Sequence, residues 1–135
     1  MIGLLNFSGM DRTMSPDKAR RQKAYNKGRS AEDEAAGLLA QRGYQVLSRR
    51  YRSPAGEIDL IASDGRRLAF VEVKARRELD DAAWAVTPRQ QRRIADAASH
   101  WLQAFPQFQS WDMSFDAVLI ASRERCEYIP DAFQV

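Results

Sequence analysis

Gly56-Glu57-Ile58-Asp59-Leu60-Ile61 and Phe70-Val71-Glu72-Val73-Lys74 stand either side of an Asp64-Gly65 pair, and how these two runs pair decides the fold. An Asp-Gly dipeptide between apolar runs is a strong hairpin signal, and a strand sends alternate residues to opposite faces. A loop of even length centred on Asp64 and Gly65 places Ile61 opposite Leu68, Asp59 opposite Phe70 and Glu57 opposite Glu72. Glu57, Asp59, Glu72 and Lys74 then share one face, while Ile58, Leu60, Ala69, Val71 and Val73 cover the other. Three carboxylates crowd one amine.

Like charges facing each other on a sheet cost roughly 0.2–1 kcal/mol per pair at exposed sites, so something should compensate here. A hard divalent cation, Mg²⁺ or Mn²⁺, does so through one or two carboxylates plus water and phosphate oxygens. Lys74 would stand beside it, placed to orient a water or to offset charge growing on a phosphate. The plainer alternative is a solvated surface hairpin in which Lys74 pairs with Glu72, since structural ion pairs imitate sites. An odd loop or a bulge would split the group between faces.

With 135 residues, 44% of them hydrophobic and 29% charged, the chain can bury its own core. It has no apolar run of the ~20 residues a membrane span needs, and Met1 to Leu5 lacks the basic start of a secretory signal. A cytoplasmic protein without a membrane partner is expected. One cysteine, Cys126, excludes an internal disulfide and a multi-cysteine zinc site. His100, the only histidine, falls on a helix beside Trp101 and reads as structural.

The net charge of +3 hides an asymmetry, for residues 99–135 hold 2 basic against 5 acidic side chains. The positive charge comes in clusters: Lys18 to Arg29, then Arg49, Arg50 and Arg52, then Arg76 and Arg77, then Arg89, Arg92 and Arg93. Most are arginines, whose planar fork suits bidentate phosphate contacts. A basic rim around an acidic pocket suits an enzyme acting on a polyanion, the rim holding phosphates and the pocket a metal. Ordinary solvated charge is the alternative.

Residues 1–27 read as a basic, flexible N-terminal arm and residues 28–135 as one domain. Ser30 can cap a helix with Asp33 three residues on, and Gly43 can end it. Ala31, Ala35, Leu38, Leu39 and Arg42 form its stripe; Glu32 lies off it, and by spacing alone is a helix-dipole carboxylate. Tyr44 to Tyr51 reads as an edge strand, and Glu78 to Val86 as irregular, with Trp84 a packing anchor. Thr87-Pro88-Arg89-Gln90 is a helix start with a capping box, leading into a buried stripe of Ile94, Ala97, Ala98, Trp101, Leu102 and Phe105. Phe115 to Ile120 and Cys126 to Ile129 are further strands, the last ending before Pro130. This order gives an α/β fold, a mixed sheet flanked by helices.

Those residues carry a resemblance. The chain resembles the YraN family of bacterial proteins, itself similar to the Holliday-junction-resolvase branch of the PD-(D/E)xK nucleases. The likeness runs from Gly28-Arg29-Ser30-Ala31-Glu32 through Gly43-Tyr44, Gly56 to Ile61, Phe70 to Arg76 and Phe115-Asp116 to Asp131-Ala132-Phe133. The paired Gly-Glu-Ile-Asp-Leu-Ile and Phe-Val-Glu-Val-Lys runs are highly specific, whereas Glu-x-Lys alone would mean little.

The resemblance implies a restriction-endonuclease-like mixed central sheet flanked by helices, and an Mg²⁺- or Mn²⁺-dependent DNA endonuclease, structure-selectivity and a homodimer being open. It makes Asp59 and Glu72 metal ligands, Lys74 the catalytic lysine and Glu32 an acid assisting the metal through water. Glu57 and Gln90 are secondary site residues, Gln90 being equally explained by capping. Arg29, Arg49, Arg50, Arg52, Arg76, Arg77, Arg89, Arg92 and Arg93 are the nucleic-acid contacts expected from charge. Arg50, Gln90 and Ser114 depart from the family pattern, where asparagine, lysine and arginine are common; this bears on substrate contacts, not on the ligands. The alternative from another class is a non-catalytic nucleic-acid-binding or scaffold module that keeps the fold.

Overall fold

The β2–β3 hairpin, Glu57–Ser63 and Arg67–Ala75, lies inside a five-stranded sheet of order β1-β2-β3-β4-β5. β1 is Gln45–Arg52, β4 Asp112–Ser122 and β5 Arg125–Phe133. Helix α1 comprises residues 31–41 and α2 is Pro88–Ala104, followed by a 3₁₀ turn at Pro106–Phe108. The structure, a computed structural model, describes residues 31–76, 85–122 and 125–135. The expected arm 1–27, Arg29, Ser30 and its cap, Arg77 and Trp84 lie outside the described residues.

Only β3 and β4 pair in parallel; the other neighbours are antiparallel. The mixed sheet follows from the chain, since the α2 crossover returns β4 alongside β3 while short turns make the rest. Alternation then divides the core. Leu60, Ala62, Ala69 and Val71 pack with Ala31, Ala35 and Leu39 of α1. Ile61, Leu68 and Phe70 pack with Ile94, Ala97, Ala98 and Trp101 of α2. The sheet is thus sandwiched between two helices, the α/β architecture expected. Among the described residues no helix is long and apolar enough to cross a membrane.

The hairpin register differs from expectation by two residues. Ile61 faces Phe70 and Ser63 faces Leu68, because Asp64 organises a wider turn: its Oδ1 accepts from the N–H groups of Arg66, at 2.9 Å, and Arg67, at 2.7 Å. The loop is still even in length, so the faces survive. Ile58 is the exception, packing with Ile61 and Phe70 rather than with Leu60. The β2–β3 ladder ends at Leu60 and Val71, beyond which β2 stays paired with β1 alone as far as Glu57.

Three other expectations shift. Phe105 caps the end of α2 and is 41% exposed, outside the buried stripe. β5 does not stop before Pro130 but continues to Phe133, which an edge strand tolerates because no partner needs the missing N–H. Glu32 is buried despite lying off the α1 stripe. α1 ends as read, with Gly43 at φ +87°, the left-handed conformation that glycine adopts without strain.

Candidate functional site

At the end of the hairpin away from Asp64, the strands separate and their acidic residues meet the start of α2. Glu57, Asp59 and Glu72 line a cavity of about 250 Å³, closed on its other side by Gln90, Arg93 and Ile94. α2 is held there by its own N-terminus. Thr87 Oγ1 accepts from Gln90 N–H at 3.2 Å while Gln90 Oε1 accepts from Thr87 N–H at 3.0 Å, the capping box expected. Gly56 sets the approach: a Cβ there would lie 2.8 Å from the Arg93 carbonyl oxygen. Only glycine lets the two backbones come this close.

Asp59 and Glu72 lie side by side at the cavity wall, and Asp59 Oδ2 accepts from Val73 N–H at 2.8 Å. Desolvation raises the Asp59 carboxyl; the Val73 N–H opposes this, and the charges of Glu32 and Glu57 add to it. Glu72 is pushed up to about 8, by desolvation first and then by Asp59, with Lys74 opposing. Each carboxylate opposes ionisation of the other, so the pair holds on to a proton more readily than an isolated acid would.

Lys74 is buried, and its ammonium donates to the Ala85 carbonyl at 2.8 Å and to Gln90 Oε1 at 3.4 Å. Desolvation lowers its proton affinity, and Glu72 partly restores it. Gln90 therefore caps α2, as expected, and also contacts Lys74. Glu32 is ion-paired with Arg50 Nε, yet its charge reaches Asp59. Arg50 lies in β1 between the pairs Arg49–Leu60 and Tyr51–Ile58, and has φ +51°. A left-handed arginine costs roughly 1–2 kcal/mol, here while its guanidinium reaches a buried acid.

The structure sorts the remaining arginines. Arg49 pairs with Asp33 at 2.5 Å, and Arg52 lies 3.9 Å from Glu57. Arg76 donates to the Ala75 carbonyl. Arg89, Arg92 and Arg93 are exposed on α2, with Arg93 at the cavity wall. Reasoning from sequence missed the Val73 N–H, the Ala85 carbonyl, Ile94 and the closeness of Gly56. Only Gly56 carried a signal, as a glycine opening a strand. It also missed the buried Asp116, which accepts from Tyr128 Oη and, at 2.9 Å, from Asp131 N–H.

A divalent cation fits this donor set. Burial and mutual repulsion raise both carboxyls, a cost that a cation between them would offset, and both present oxygen, the ligand that Mg²⁺ and Mn²⁺ prefer. Among the described residues no three His, Cys, Asp or Glu side chains are grouped to hold a metal, so water or phosphate oxygens would complete the shell.

Fold and site together define an α/β protein with a carboxylate pair and a buried lysine at one end of a mixed sheet. Residues 31–120 match the model of a family described as "Uncharacterised protein family UPF0102". The chain belongs to this UPF0102 family, the YraN family of the sequence resemblance. A UPF0102 protein of Rhodopseudomonas palustris (strain BisB18) is 54% identical over 110 residues, 82% of either chain. One of Bradyrhizobium sp. (strain ORS 278) is 52% identical over 122 residues, 90% of this chain and 84% of that one. A solved structure of Archaeoglobus fulgidus Hjc, a Holliday junction resolvase from an archaeal hyperthermophile, shares 19% identity at a TM-score of 0.49, over 73% of this chain and 72% of that one. That last likeness is too slight to bear on activity.

Proposed function

We propose that this protein is a divalent-metal-dependent DNA endonuclease of the PD-(D/E)xK, restriction-endonuclease-like kind. The observation that carries the reading is the Asp59–Glu72 pair at the wall of a cavity, both carboxyls raised by burial, with the buried Lys74 reaching Gln90 of the same wall. Asp59 and Glu72 are the residues that would hold Mg²⁺ or Mn²⁺, and a cation there supplies Lewis-acid stabilisation of a phosphoryl oxygen. Val73 N–H fixes the Asp59 carboxylate, so its orientation is set before substrate arrives. Lys74 holds a hydrogen bond to the attacking water, and its lowered proton affinity suits a group that exchanges protons with that water. Glu32 acts on the site through charge and water, steadied by Arg50.

The experiment is a cleavage assay on branched, flapped and single-stranded DNA with Mn²⁺, comparing the parent protein with Asp59→Asn. The parent is expected to cut at least one substrate, and the variant to be slower by roughly 10²-fold or more while still binding DNA. A variant as active as its parent would sink the mechanism. Salt-sensitive DNA binding with no metal-dependent turnover on any substrate would point to a non-catalytic nucleic-acid-binding module instead.

A further inference from the structure

The arginines around this site are not equivalent. Those of β1 are engaged with acids of the protein itself: Arg49 with Asp33, Arg50 with Glu32, and Arg52 near Glu57. Arg93 is different. It lines the cavity together with Glu57, Asp59 and Glu72, yet among the described residues it forms no ion pair within 4.0 Å. A cation beside three carboxylates would ordinarily be held by one of them.

Its position is also fixed from below. The Arg93 carbonyl oxygen and Cβ lie 2.8 Å and 3.1 Å from the place a Gly56 Cβ would occupy. The root of the side chain is therefore pressed against the residue that precedes Glu57, and cannot drift from the cavity without moving α2. The carboxylates repel an entering phosphate, so a polyanion approaching them needs a cation on the wall. A guanidinium supplies that charge in a fork matching two phosphate oxygens.

We propose that Arg93 is the phosphate clamp of this site, taking a backbone phosphate of the bound nucleic-acid strand, while the β1 arginines serve the protein's own acids. The proposal rests on the nuclease reading for the identity of its ligand, but its test is independent of cleavage.

The test is fluorescence anisotropy with a labelled DNA strand, with Ca²⁺ replacing Mg²⁺, between about 50 and 200 mM salt. Arg93→Ala should bind roughly 5- to 20-fold more weakly at the lowest salt, with the log–log salt slope reduced by about one. Arg93→Lys should recover the slope, because a point charge still neutralises a phosphate, and it decides the matter if the alanine variant melts early. Arg66→Ala, at the opposite end of the hairpin, should match the parent.

An Arg93→Ala slope equal to the parent's, or a loss no larger than that of Arg66→Ala, overturns the clamp, as does failure of Arg93→Lys to recover the slope. If the parent cuts DNA and Arg93→Ala binds normally, the clamp fails and the nuclease reading stands. If Arg93→Ala loses its slope unit but the parent cuts nothing, the clamp stands and the nuclease reading fails. A parent that binds no DNA overturns both.

Discussion

Asp59 and Asp64 lie five positions apart in one hairpin, and their carboxyls are pushed in opposite directions. Asp64 is held below its ordinary range by the N–H groups of Arg66 and Arg67. Asp59 also accepts a backbone N–H, from Val73, but desolvation outweighs it and the carboxyl rises. One end of the hairpin is thus organised by its own turn, in water. The other is organised by α1 and α2, which remove water and bring further acids to it. Local chemistry lowers one aspartate and tertiary packing raises the other, from the same side chain.

The largest expected effect concerns pH. Glu72 titrates near 4.5 in the unfolded chain and at about 8 when folded. Between those values the folded protein retains a proton that the unfolded chain has lost, so metal-free stability should fall as pH rises from about 4.5 to about 8. Melting should show a decline in Tm of roughly 5–10 °C across that window. Saturating Mn²⁺ should remove most of it. A metal-free Tm that rises through the window would mean that the two acids ionise independently, and would erase the difference between the hairpin ends.

A smaller effect probes how α2 is held. Gly56→Ala must displace the Arg93 backbone, at a cost of about 1–3 kcal/mol in chemical denaturation. Unchanged stability would mean that the two backbones separate freely and that the cavity is not fixed by this contact. The smallest effect is at the turn. Asp64→Ala should lower stability slightly at neutral pH and leave Mn²⁺ affinity unchanged. Because the folded Asp64 carboxyl lies below its unfolded value, this penalty should vanish as pH falls through the folded value. A change in metal affinity would mean that the two ends are coupled.

The hairpin faces were legible in the sequence because parity alone assigns them, and the change from one even-length loop to another preserves parity. The register was not, because it depends on Asp64 Oδ1 capturing both Arg66 and Arg67, which widens the turn without altering the alternation. The start of α2 was legible from Thr87, Pro88 and Gln90, whose capping chemistry is local. Glu32 was misplaced by spacing, since a helical stripe reports packing against the sheet and not an arginine arriving from β1. The partners of Lys74 were illegible for the same reason: Ala85 and Gln90 reach it only through tertiary structure. Net charge counted all the arginines alike, whereas their ion pairs separate those that serve the fold from Arg93.

The central claim is that Asp59 and Glu72 together form a divalent-cation site. Calorimetric titration of Mn²⁺ at pH 7 tests it most directly, on the parent and on Asp59→Asn, in buffers of differing ionisation enthalpy. The expected result is saturable binding in the parent with release of about one proton, as the ion displaces the proton that the raised Glu72 carboxyl holds at pH 7, and loss of that binding in the variant. Equal binding in both proteins, or binding without proton release, would contradict it.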